Sequence, residues 1–232
     1  MENMIVVKGL EKSYKVHQRA LPIINISSWS VKKGERIALL GPSGSGKSTL
    51  LHIVGGILTV DCGAVEVAGE LISEMNEAQR DRFRANKLGY VFQDFYLIPS
   101  LTAQQNVELV MERKLTKGER TKLIDQWFER VGLTGKQNQR PHQLSRGQQQ
   151  RIAIIRALIN DPLLILADEP TGSLDWETAA LIMKLLLDIC EENNTTLLTV
   201  THDLHLAQLY PTTFQMDNIN LCIGHQALSG KG

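Results

Sequence analysis

The sequence predicts an α/β protein, with a parallel sheet under helices, an antiparallel β portion beside it and a helical insertion that interrupts the sheet. Three observations carry this. Several β-type runs are continuously apolar rather than alternating, among them Ile37-Ala38-Leu39-Leu40, Leu163-Leu164-Ile165-Leu166 and Leu197-Leu198-Thr199-Val200. Such runs suit strands buried on both faces. Between Thr102 and Asn160 the helical period takes over. A Gly/Ser-rich loop, Gly41 to Gly46, separates a strand from a helix, as a βα unit with a phosphate-binding turn requires.

In chain order, strands are expected at residues 4–8, 23–31, 36–40, 65–67, 88–92, 163–167, 195–201 and 213–216. The first and last runs, set apart by turn residues, read as antiparallel. Asp217-Asn218, between Phe214-Gln215-Met216 and residues 219–223, reads as a closing hairpin. In the insertion, Thr102 can cap a helix over 103–114. Thr116-Lys117-Gly118-Glu119 has capping-box spacing and opens a second helix to about Val131. A third starts after Ser145 and runs to about Ile159, where Asp161-Pro162 stops it.

Composition excludes several classes. The 232 residues carry 25 Lys+Arg against 25 Asp+Glu, so the cation excess that a non-specific nucleic-acid binder needs is absent. Hydrophobic residues at 43% with 22% charged are globular values and exclude disorder as the main state. Cys62, Cys190 and Cys222 are odd in number and show no C-x-x-C spacing, so three reduced thiols are expected rather than a zinc or redox motif. No basic stretch followed by an apolar core opens the chain, and no apolar run approaches the ~20 residues of a membrane span. A soluble intracellular chain of one domain, or one domain with a subdomain, is expected.

Four stretches carry chemistry. Gly41-Pro42-Ser43-Gly44-Ser45-Gly46-Lys47-Ser48, followed by Thr49, fits G-x-x-x-x-G-K-[ST]. Its backbone N–H groups would curl round a β-phosphate at a helix N-terminus. Lys47 would reach the β/γ oxygens and the Ser48 hydroxyl would ligate magnesium. The apolar run ending in Asp168-Glu169 would place one carboxylate to hold magnesium through water and the next to orient or deprotonate an attacking water. Alone, Asp-Glu after a strand is commonplace; downstream of a phosphate loop it defines a P-loop nucleotide hydrolase. In Leu144-Ser145-Arg146-Gly147-Gln148, Ser145 and Gln148 stand in the S-x-x-Q capping relation, leaving helix-tip amides free for an anion. His202 and His205 have the look of a metal pair, but no further ligands are evident.

With these motifs in this order, nearly the whole chain resembles the nucleotide-binding subunit of ABC transporters. The resemblance implies an ABC ATPase fold, with a core and β subdomain at 1–93 and 161–232 and a helical subdomain at 94–160. It places Tyr14 against adenine. It assigns Gln93 as the Q-loop residue reaching magnesium and the attacking water, Asp175 of Ser173-Leu174-Asp175 to the D-loop that crosses to a partner subunit, and His202 as the switch histidine on the γ-phosphate. Ser145, Gly147 and Gln148 would close on the γ-phosphate held by a second subunit, in a head-to-tail dimer around two Mg-ATP. The family usually has glycine where Arg146 stands, so Arg146 either adds a cation near the partner's phosphates or points to solvent.

Two helices and their loops fill the stretch from Gln93 to Ser145, unlike the long coiled-coil insertions of chromosome-structure and DNA-repair relatives. With one cassette and no fused membrane helices, the resemblance implies a homodimer or a pair with another ABC chain. It would dock on a separately encoded transmembrane permease, in the cytoplasm at the inner face of the membrane. Loops such as Val91-Phe92-Gln93-Asp94-Phe95 and Ala167-Asp168-Glu169-Pro170-Thr171-Gly172 are similar to those of the lipoprotein-release, macrolide-export and antimicrobial-peptide-resistance group. Phe95, Tyr96, Leu97 and Ile98 would then line a groove for the permease's coupling helix. Rival readings are a soluble regulatory ABC ATPase and a small-molecule P-loop kinase.

Overall fold

A computed structural model describes residues 2–16, 19–111 and 115–222. The chain opens with two long strands, β1 (Asn3–Val16) and β2 (Arg19–Lys32), then β3 (Arg36–Leu40) and helix α1 (Lys47–Val54). Next come β4 (Cys62–Val67), the short β5 (Glu70–Leu71), α2 (Glu77–Lys87) and β6 (Leu88–Val91). The insertion holds α3 (Ala103–Glu108), α4 (Lys117–Arg130) and α5 (Arg146–Leu158). The chain then returns through β7 (Leu164–Asp168), α6 (Trp176–Glu192), β8 (Thr196–Thr201), α7 (Leu204–Ala207), β9 (Thr212–Gln215) and α8 (Met216–Ile219).

Two sheets result. One is antiparallel in the order β2-β1-β4-β5; the other is parallel in the order β6-β7-β8-β3-β9. The continuously apolar runs are explained by what covers them. On β7, Leu164 and Leu166 enter the core cluster shared with β1, β2 and α1, while Ile165 and Ala167 enter the one shared with α5 and α6. On β3, Ile37 and Leu39 join the first cluster and Ala38 and Leu40 the second. The period of two is intact, but both faces are dry, so it is invisible as hydrophobic alternation. The second cluster runs on from the sheet into the insertion through Phe128 and Ile152, both fully buried.

The expected caps form. Thr116 and Glu119 exchange hydrogen bonds at the start of α4, as Ser145 and Gln148 do at α5. Three expectations need correction. The first insertion helix ends at Glu108: the Val110 and Met111 N–H groups tighten onto the carbonyls of Val107 and Glu108, and the Val110 carbonyl accepts from the Asn160 side chain; Lys114, the expected end, lies outside the described residues. The last strand, β9, is parallel to β3 rather than antiparallel. The closing hairpin is instead the helical turn α8. It delivers the buried Asn220 side chain to the Asn25 N–H and to the Ile23 and Ser45 carbonyls, and those buried groups outweigh a solvent-side hairpin. Residue 223 lies outside the described residues.

Two helices carry signals that the motif reading leaves aside. Asn76 and Gln79 form a capping box on α2, and Asp175 caps α6 by accepting from Thr178 N–H. The three cysteines are unpaired, and burial pushes the Cys190 thiol up to about 12. Among the described residues no helix is long and apolar enough to cross a membrane.

The insertion rests on the sheet at one close approach. A Cβ on Gly89 of β6 would lie 2.1 Å from the Ala157 carbonyl oxygen of α5 and 2.4 Å from Ile165 Cδ1. Gly89→Ala therefore forces α5 off the sheet. It is expected to cost about 1–3 kcal/mol, read as a lower denaturant midpoint at unchanged slope.

Candidate active site

Four parallel strands end at one edge, and each carboxyl end contributes to one cleft. From β3 the chain runs into the glycine-rich loop, from β6 to Gln93, from β7 to Asp168 and Glu169, and from β8 to His202. The cleft, about 710 Å³, is lined by the loop residues Pro42, Ser43, Gly44, Gly46, Lys47, Ser48 and Thr49, with Gln93, Glu169 and His202. Tyr14 and Ile23, from β1 and β2, close one wall. Tyr14 is 38% exposed, which leaves the ring accessible to a purine.

Gly46 sets the loop's geometry. Its φ is 93° at the N-cap of α1, and a Cβ there would lie 2.7 Å from Ile24 Cδ1. Only glycine allows both the turn and the packing of α1 against β2. The Lys47 side chain curls back into the loop, its Nζ donating to the carbonyls of Gly41 (2.7 Å) and Pro42 (2.9 Å). Lys47 is 7% exposed. Burial pulls its pKa below the usual lysine value, against the opposing pull of Glu169 and Asp168.

The two carboxylates do different things. Asp168 Oδ1 accepts from the Ser48 hydroxyl at 3.0 Å, and His52 Nε2 lies 3.9 Å from Oδ2. Burial pushes this carboxyl above the usual range, with the Ser48 bond and His52 working against it. Glu169 sits at φ +44°, a left-handed conformation that costs a non-glycine residue free energy. It is fixed there on three sides. Its N–H donates to the Val200 carbonyl (3.0 Å), Oε2 accepts from the Thr201 hydroxyl (3.0 Å), and Oε1 meets His202 Nδ1 at 2.7 Å. The carboxylate is thereby aimed into the cleft by β8, and His202, 71% exposed, continues the line outward.

The sequence-derived residues fall into two groups. The phosphate loop, Tyr14, Gln93, Asp168, Glu169 and His202 converge on the cleft or its floor. Gly41 and Ser45 stand just behind the loop's rim, holding Lys47 and the Asn220 side chain through their carbonyls. Ser145, Gly147, Gln148 and Asp175 do not line the cleft. They stand at the exposed or half-buried starts of α5 and α6. Arg146 is exposed, and its guanidinium also lies over the Phe95 ring, 5.6 Å from the centroid. Of the expected coupling groove, Tyr96 and Ile98 are exposed and Leu97 packs on the core.

Ile23, Thr201 and His52 escape the sequence reading. Thr201 carries a weak signal as a hydroxyl at the end of a buried strand beside His202; Ile23 and His52 carry none beyond their places on β2 and α1.

The site is thus that of a P-loop nucleotide hydrolase. The ABC transporter family profile matches residues 24–172, and the chain belongs to that family. It is 38% identical over 218 residues to a lipoprotein-releasing system ATP-binding protein, LolD, of Hydrogenovibrio crunogenus, covering 93% of this chain and 95% of that one. It is 43% identical to the ABC transporter ATP-binding protein YbbA of Escherichia coli, covering 89% and 91%. Among solved structures, the cassette MJ0796, whose sequence counterpart is from Methanocaldococcus jannaschii, was determined as a dimer in a post-hydrolysis state bound to ADP and Pi. It superposes with a TM-score of 0.83 at 36% identity, covering 94% of each chain. The chain is an ABC-type ATPase that binds nucleotide.

Because burial favours the neutral form of Asp168, the native state holds its proton to higher pH than the unfolded chain. That stabilisation is present at low pH and lost as pH rises through the native pKa. At pH 7 the ionised carboxylate is a net cost. Asp168→Asn is expected to raise the melting temperature at pH 7, and the gain should vanish as pH falls below the ordinary carboxylate range.

Proposed function

We propose that this chain is the ATP-hydrolysing subunit of a transporter, working in the cytoplasm at the inner face of the membrane on a separately encoded permease. Its subdomains divide as 1–93 with 161–232, and 94–160. The observation that carries the paired site is the separation of the residues into two groups. The cleft has a phosphate loop, a base and a purine wall, whereas the capped α5 tip with Ser145, Gly147 and Gln148 does not line it. The N–H groups of Arg146 and Gly147, which stand outside the Ser145–Gln148 capping box, and the positive end of α5 suit a γ-phosphate that a second chain, a copy of this one or another ABC ATPase, can present. The dimeric relative with ADP and Pi supports this.

In the cleft, Tyr14 stacks on the adenine. The backbone N–H groups of Ser43 to Ser48 and the Lys47 ammonium, freed from its two carbonyls, hold the β- and γ-phosphates. The donor set fits magnesium: the Ser48 hydroxyl and Asp168 carboxylate are hard oxygens held 3.0 Å apart, Gln93 offers a third from the cleft wall, and phosphate oxygens complete such a shell. When bound, the ion neutralises charge on the β- and γ-phosphates. Glu169, held by Thr201 and the β8 backbone, takes a proton from water aimed at the γ-phosphorus. His202 and the partner's α5 tip stabilise the oxygens that gain charge. Asp175 carries the crossing between the two sites.

The likeness to a lipoprotein-releasing relative supports work in export, lipid or lipoprotein extraction, or mechanical transmission. Glu169→Gln is expected to lower turnover about 10²–10⁴-fold while Mg-ATP still doubles the mass seen by light scattering. Lys47→Ala is expected to lose both. Turnover within tenfold of the unmodified protein would remove Glu169 from the role of base, and a mass unchanged by Mg-ATP would count against a self-sufficient pair.

A further inference from the structure

Arg146 occupies the first helical position of α5, where a cation faces the positive end of the helix dipole. It is not left there uncompensated. Its guanidinium lies over Phe95, 5.6 Å from the ring centroid, a cation–π contact comparable in size to the dipole penalty. Two turns and more along the same helix, Arg156 donates to the carbonyls of Phe95 (2.8 Å) and Tyr96 (2.7 Å). Tyr96 is held at φ +45°, a conformation that persists only when its surroundings over-determine it. Its ring meets Phe92 edge-on at 5.1 Å, and Phe92 directly precedes Gln93 of the cleft. The stretch from Phe92 to Tyr96 is therefore fastened to α5 at two points, one of them at the α5 tip.

Resting on the paired-site reading above, we infer that Arg146 is a positioning residue: its contact with Phe95 yokes the α5 tip to the segment carrying Gln93. A displacement at Gln93 then reaches Ser145 to Gln148 of the same chain through the surface, without repacking the core. Opposed effects of near-equal size also leave Arg146 almost neutral for folding, which separates positioning from stability.

The test uses the full chain carrying Glu169→Gln, with Arg146→Gln, Phe95→Leu, Phe95→Tyr and the Arg146→Gln/Phe95→Leu pair added. Arg146→Gln and Phe95→Leu are each expected to raise the Mg-ATP concentration for half-maximal dimerisation about two- to fivefold, Arg146→Gln at unchanged melting temperature. The double variant should be no worse than either single one, and Phe95→Tyr, which keeps a ring, should behave as the parent. Hydrogen exchange on the nucleotide-free monomer gives a readout independent of pairing. Arg146→Gln should speed exchange at 92–96, and Phe95→Leu should speed it at 146–149. Additive shifts, or weakening by Arg146→Gln with none or a gain from Phe95→Leu, would overturn the yoke in favour of Arg146 acting as a bare charge. If the parent does not dimerise, pairing with its own copy unaided fails, and reciprocal exchange still decides the yoke.

Discussion

Everything at the nucleotide site depends on a sheet that is dry on both faces. Burying β7 and β3 between two apolar clusters leaves their backbone groups no partners but the neighbouring strands, β6 and β8 for β7 and β8 and β9 for β3, which fixes register along five strands. Fixed register brings the carboxyl ends of β3, β6, β7 and β8 to one edge. A slip of one residue on β7 would turn Asp168 and exchange the two clusters. The site's geometry is thus a boundary condition of the core, and the core's apolar free energy is what holds unfavourable groups in place at its rim.

Those groups are several. An ammonium is pulled below its usual pKa by burial, a carboxyl is pushed up beside it, and the neighbouring glutamate sits in a left-handed conformation. Each costs folding free energy that better-suited residues would not. They fall within one small region, as expected where function rather than stability selects the residue.

The phosphate loop, the Asp168-Glu169 pair and the α5 cap were legible in the sequence because each is a local code, a spacing whose meaning is set within eight residues. The doubly buried strands were legible because two dry faces abolish alternation. What escaped is non-local. Nothing near Asp217 announces that Asn220 is needed by Ile23, Asn25 and Ser45, so a turn signal was read as a hairpin. Nothing near Val110 announces Asn160. Arg146 was read against phosphate and solvent because Phe95 lies far away in sequence. Thr201 acquires its meaning only when β7 and β8 lie side by side.

Asn220 has a temporal consequence. Its amide donates to the Ser45 carbonyl of the phosphate loop and to the Ile23 carbonyl of the cleft wall, and the loop's Gly41 faces Met216 of α8. On a ribosome, residues 41–48 emerge long before residue 216. During synthesis the loop therefore exists without the groups that brace it, and its final shape waits for almost the last of the described chain to be made. Bracing of the phosphate loop is in this way tied to synthesis of residues 216–220, and a chain released before them would carry the full binding motif without the brace behind it.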